Sequence, residues 1–158
     1  MRTSKHYSAK EAMAKMAKYC AYQERCPHEV RQKLYTMGLA YSEVDEVMDW
    51  LIDEKFLDEE RYARAYVRGK FHFKRWGKIK IRHQLRAKQI PEKMIESGFS
   101  EINEDAYFNT LKEIIDQKFS SLQGEDSDLK KKQKCFNFAY GRGFEPELIQ
   151  KYLNNILP

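Results

Sequence analysis

Apolar residues recur along this chain at three- and four-residue spacing, the pattern of helices that bury one face. Ala9, Ala12, Met13, Met16 and Cys20 mark a first helix, capped by Ser8 and running to about Gln23. Pro27 sits where a second would begin, with Val30, Leu34 and Met37 on its face and Gly38 as a left-handed stop. Ser42 is positioned to cap a third through Val44, Val47, Met48, Leu51 and Ile52. Asp58, Glu59 and Glu60 favour the positive end of a fourth, predicted to continue to about Lys74. No segment alternates with period two for long enough to predict a strand.

The pattern then repeats itself. Aligning Gly38-Leu39 with Gln89-Ile90 and Gly143-Phe144, at offsets of 51 and 54, brings the flanking apolar positions into register. Val44 matches Ile95 and Ile149, Met48 matches Phe99 and Leu153, Leu51 matches Ile102 and Ile156, and Leu34 matches Leu85 and Ala139. The expected fold is all-α, an elongated tandem array of three three-helix repeats over residues 1–56, 57–102 and 103–158. Such arrays bury apolar faces against neighbouring units and leave a continuous outer surface. The polar stretch 123–128 reads as a flexible bend between the first two helices of the third unit.

Composition narrows the class. With 42% hydrophobic and 34% charged residues, the 158-residue chain is too apolar for a disordered tail and too charged for a membrane span. Residues 1–10 hold no apolar run of the kind that directs export, so a cytoplasmic location with no membrane partner is expected, and the chain is expected to be a monomer. Cys20, Cys26 and Cys135 are odd in number and lack C-x-x-C spacing, which predicts reduced, structural thiols.

Charge is unevenly placed. From Arg61 to Ile90 there is no acid, and the cations are Arg61, Arg64, Arg68, Lys70, Lys74, Arg75, Lys78, Lys80, Arg82, Arg86 and Lys88. These eleven exceed the net +5 of the whole chain, so the remainder is net −6. A helix surface built only for solubility mixes both signs; one sign over thirty residues predicts a polyanionic or acidic partner. At 100° per residue Arg61, Arg64, Arg68 and Arg75 share one side, with Tyr62, Tyr66 and Phe73 opposite them on the expected core side. In the next helix Lys78, Arg82 and Arg86 form a second stripe. Trp76, beside Gly77 and among cations, is open to either a core or a stacking role.

Catalytic chemistry finds no purchase in the motifs. His6, His28, His72 and His83 lack metal-ligand spacing, Gly141-Arg142-Gly143 lacks the lysine of a phosphate loop, and there is no G-x-S-x-G run. No enzyme activity, metal or cofactor is expected. A direct nucleic-acid-binding helical module is the competing reading of the basic surface.

The segment Phe56-Leu57-Asp58-Glu59-Glu60-Arg61-Tyr62-Ala63-Arg64-Ala65-Tyr66-Val67 and the run from Trp76 to Ile90 resemble the RecX family, bacterial regulators of the RecA recombinase. Phe144-Glu145-Pro146-Glu147-Leu148-Ile149 fits the same pattern more loosely, and the resemblance spans about Ser8 to Leu157. It implies tandem three-helix repeats that bind the groove of RecA filaments on single-stranded DNA and hinder filament growth, ATP hydrolysis and strand exchange. The eleven cations would then meet acidic recombinase surfaces or the backbone of single- or double-stranded DNA. Gln89 stands where the family usually has glycine, so this helix is expected to end without the left-handed stop of Gly38 and Gly143.

Overall fold

The computed structural model describes residues 6–125 and 127–158. Among them the chain forms α1 (Ala9–Tyr22), α2 (Pro27–Thr36), α3 (Tyr41–Asp53), α4 (Glu59–His72), α5 (Lys78–Ala87), α6 (Glu92–Phe99), α7 (Glu104–Ser120), α8 (Asp128–Gly141) and α9 (Pro146–Ile156), with no strand. These are three three-helix repeats in tandem.

Local sequence accounts for most helix ends. The Ser8 hydroxyl accepts from the Glu11 N–H, and the Glu11 carboxylate accepts in return from the Ser8 N–H, closing a reciprocal cap. Asp58 Oδ1 accepts from the Arg61 N–H at 2.9 Å, Asn103 caps α7 and Ser127 caps α8. The third helix differs from expectation. It starts at Tyr41, the Ala40 N–H donates to the Glu43 side chain at 3.0 Å, and Ser42 lies within the first turn. Glu43 reaches back to the chain entry, so the helix needs no serine there. The stretch 123–128 follows α7 and runs to the first residue of α8, and the expected bend falls partly on Asp126, which lies outside the described residues.

The repeat register appears in burial. Leu34, Leu85 and Ala139 are fully buried, as are Val44, Ile95 and Ile149, and Met48, Phe99 and Leu153 are buried too. Leu51 and Ile102 are buried while Ile156 is half-buried. The residue after each matched turn, Leu39, Ile90 or Phe144, is buried as well. Gly38 and Gly143 take φ of 84° and 100°, and Gln89, against expectation, takes 61°. All three N–H groups bond back into the helix they end, to Tyr35, Arg86 and Tyr140 respectively. The turn therefore imposes the left-handed conformation on whatever residue occupies it, and glutamine bears the Cβ strain that glycine avoids.

The chain packs as two compact units, one running to Ala65 and including Arg86–Gly98, the other Tyr66–Leu85 with Phe99–Pro158. In the first, α1 and α2 pack on α3 around Met16, Leu34, Val47 and Leu51. In the second, α7 packs on α8 and α9, and Leu85, Tyr107, Leu111, Ile115, Phe144 and Leu153 are buried.

Candidate partner-binding surface

The second unit is held by a knot of backbone and aromatic contacts that positions part of the basic segment. Gly77 N–H donates to Arg142 O at 2.8 Å and Ile79 N–H to Gly143 O at 2.9 Å, so the turn before α5 lies directly on the turn before α9. A Cβ at Gly77 would sit 2.4 Å from the Gly143 carbonyl, and one at Gly143 would sit 2.3 Å from Lys80 Cβ. Buried Tyr107 lies between Phe71 and Phe144, with ring centroids 5.8 and 5.1 Å away. Its hydroxyl accepts from the Lys78 N–H at 3.0 Å and donates to Glu145 at 2.8 Å. Burial, and then the Glu145 carboxylate, hold this phenol well above the usual tyrosine range.

Among the described residues, Arg61, Arg64, Arg68, Arg75, Lys78 and Arg86 each have a carboxylate partner. Arg61 pairs with Glu24 at 2.6 Å, Arg64 with Glu60 at 3.1 Å, Arg68 with Glu101 at 3.3 Å and Lys78 with Glu104 at 2.8 Å. Arg75 pairs with Glu113, and Arg86 with Glu92. Arg61 also donates to Phe56 O, which ties α4 to the turn before it. The Arg82 guanidinium lies 4.9 Å from the Phe99 ring centroid. Lys70, Lys74, Lys80 and Lys88 have no carboxylate partner among the described residues.

Two of these lysines frame an aromatic. Lys70 Nζ and Lys80 Nζ stand 4.8 and 4.4 Å from the ring centroid of half-buried Trp76. Phe73 departs from its expected place on the core side: it is 86% exposed. The reason is local. Helix α4 ends at His72, and the chain turns through Arg75 at φ 57°, so both residues leave the helical faces that spacing alone assigns them. Tyr62 is buried as expected, and Tyr66 is half-buried with its phenol pushed up by burial.

Two features escaped the sequence reading. Leu129–Phe144 is a second acid-free stretch, with Lys130, Lys131, Lys132, Lys134 and Arg142, and it lies on α8 and the turn that follows. The same acid-free criterion applied to that stretch would have found it. The other is a cleft of about 630 Å³ in the first unit, floored by Met48, Ile52, Leu57 and Met94. Among the described residues no group of three or more His, Cys, Asp or Glu side chains could hold a metal ion, and no helix is long and apolar enough to cross a membrane.

Fold and surface together define an all-α tandem-repeat protein whose charged chemistry lies along helix faces. Three family models match it in order: the first three-helix domain of RecX over residues 12–51, the second over 58–98 and the third over 104–153. The chain is 30% identical over 131 residues to the regulatory protein RecX of Vibrio vulnificus, covering 81% of each chain. It is 26% identical to that of Prosthecochloris aestuarii, covering 94% of this chain and 95% of the relative. For the Clostridium tetani relative, 28% identical, the match covers 82% of this chain and 59% of the other. The crystal structure of RecX from Lactobacillus salivarius shares the fold, with a TM-score of 0.85 at 21% identity over 94% of this chain and 96% of that one. The chain belongs to the RecX family of regulatory proteins.

Proposed function

We propose that this protein binds RecA recombinase filaments on single-stranded DNA in the cytoplasm and restrains their assembly, ATP hydrolysis and strand exchange, with no catalytic step of its own. The supporting observation is family membership together with a basic second repeat, read as residues 57–102 between repeats at 1–56 and 103–158. Ten of the eleven cations divide the work, and the eleventh, Arg82, lies against the Phe99 ring. Arg61, Arg64, Arg68, Arg75, Lys78 and Arg86 are paired within the fold, and their contribution is mainly to shape. Lys70, Lys74, Lys80 and Lys88, with Trp76 and Phe73 beside them in sequence, supply the contacts to acidic recombinase surfaces or to the DNA backbone.

Co-sedimentation with RecA on single-stranded DNA, and the ATPase rate of the filament, test this reading. The protein is expected to pellet with the filament and to lower the rate. The triple variant Lys70→Ala, Lys74→Ala, Lys80→Ala is expected to do neither at moderate salt while keeping its helical content. Absence of binding and of any rate change by the unaltered protein would overturn the proposal.

A further inference from the structure

Helix α8 presents a second apolar face to solvent. Cys135 and Ala139 are fully buried on its inner side. Leu129, Phe136 and Tyr140 fall within about 40° of one another on a different side. Leu129 is 76% exposed and Tyr140 51%, and the Phe136 and Tyr140 rings stack at 6.0 Å with planes 14° apart. Beside them is a shallow depression of about 480 Å³ lined by Leu129, Lys132, Gln133, Phe136, Asn137 and Gln150.

The chemistry of that depression is specific. It joins an aromatic ring, three side-chain amides and a lysine, and no carboxylate lines it. Lys132 Nζ is held by neutral oxygens, Asn154 Oδ1 at 2.7 Å and Leu157 O at 3.4 Å, so its charge is oriented without being cancelled. Of the five cations in Leu129–Phe144, Lys134 alone has a carboxylate partner among the described residues, Glu125 at 2.8 Å. The Arg142 guanidinium donates to Lys74 O at 3.0 Å, which brings the end of α8 to the turn that carries exposed Phe73 and Lys74.

We propose that this face of α8 is a docking surface for single-stranded nucleic acid. Bases stack on Phe136 and Tyr140, the amides of Gln133, Asn137 and Gln150 meet base edges, and Lys130 and Lys132 on either side of the stripe meet phosphates. A duplex keeps its base faces stacked and cannot use the aromatic pair. An acidic protein helix would engage the lysines but offers no row of planar bases to stack on the ring pair. The surface lies outside the eleven cations assigned to the filament, and its occupant needs no recombinase.

Fluorescence anisotropy of a labelled 20-nucleotide oligo(dT) with the full-length protein, in the absence of recombinase, tests it. The unaltered protein is expected to bind the single strand at least about tenfold more tightly than a duplex of equal length. Phe136→Ala with Tyr140→Ala is expected to weaken single-strand binding about tenfold or more. Lys130→Gln with Lys132→Gln is expected to flatten the logarithmic salt dependence by about 1.4. Because Phe136 is half-buried, Tyr140→Ala alone is the deciding variant if the double substitution unfolds, with an expected weakening of about fivefold. Equal affinity for single strand and duplex, unchanged binding by Tyr140→Ala, or equal competition by polyglutamate would each overturn the proposal. These assays contain no recombinase, so their outcome is separate from the effect of the protein on the RecA ATPase rate.

Discussion

The second and third repeats both carry acid-free basic stretches and use them in opposite ways. In the second, charge is largely spent inside the fold: Arg61, Arg75 and Lys78 reach carboxylates of Glu24, Glu113 and Glu104, far away in sequence. In the third, four of five cations on and after α8 have no carboxylate partner among the described residues. The longer stretch has the larger formal charge and the smaller unpaired share. Counting charge along a sequence therefore ranks surfaces wrongly when the counter-charges come from other helices, since a close pair cancels the field a distant partner would feel.

The largest test of this contrast is at Gly143. Alanine there would place a Cβ 2.3 Å from Lys80 Cβ and hold a left-handed φ of 100°. Overpacking of about 1–3 kcal/mol adds to a left-handed cost of about 1–2 kcal/mol, so Gly143→Ala should lose about 3 kcal/mol in urea denaturation. Tyr140→Ala, on the outward face of α8, should stay within about 0.5 kcal/mol of the parent. Equal losses would mean that the outward face of α8 is as structural as the turn at Gly143 and would erase the distinction.

Next in size is Tyr107→Phe. It deletes the hydroxyl that links the Lys78 N–H to Glu145 and leaves buried polar groups unsatisfied, for an expected loss of about 1–3 kcal/mol. The same hydroxyl sets an alkaline limit. Its folded pKa is raised above the unfolded value of about 10, so the unfolded state releases the proton first. Its stabilising contribution is complete below about pH 10 and is lost as the pH rises further. Tyr152, pushed up to about 12 by burial and its bond to Asp116, and Cys20, pushed up to about 11 by burial, act in the same direction. Thermal melts should thus show stability falling from about pH 9 upward, with a shallower fall above pH 10 in Tyr107→Phe. An unchanged slope would remove Tyr107 from the linkage.

A smaller contrast separates paired from unpaired cations. The pair Arg75–Glu113 joins the turn before α5 to α7, with Glu113 mostly exposed, and a double-alanine cycle should give a coupling of about 0.5 kcal/mol. Lys74→Ala should leave stability unchanged and act only on partner binding. A coupling of zero would return Arg75 to the group available to a partner.

What the chain disclosed before its structure was the repeat, because burial has a period: Val44, Ile95 and Ile149 occupy equivalent sites and all are fully buried. What it concealed depends on contacts between segments distant in sequence. Nothing near Lys78 announces Glu104 or Tyr107, and nothing near Gly77 announces the Gly143 backbone. Phe73 was misplaced for a different reason: helical periodicity holds only while the helix lasts, and α4 ends one residue before it. The basic surface was thus readable as composition, and its division into internal and available charge was not.

The smallest effect concerns the turn in which the second repeat departs from its neighbours. Gln89 holds φ 61° where Gly38 and Gly143 stand in the flanking repeats, and its exposed side chain makes no hydrogen bond among the described residues. Replacing it by glycine removes a left-handed strain of about 1–2 kcal/mol and adds about 0.4–1 kcal/mol of unfolded-chain entropy. The first term is larger, so Gln89→Gly should stabilise the protein by about 0.5 kcal/mol and leave the end of α5 in place. Urea midpoints of the two proteins, at equal slope, measure the difference. A decrease on substitution would mean that the glutamine side chain contributes more than its exposure suggests, and the three turns would then be equivalent in backbone but not in energetics.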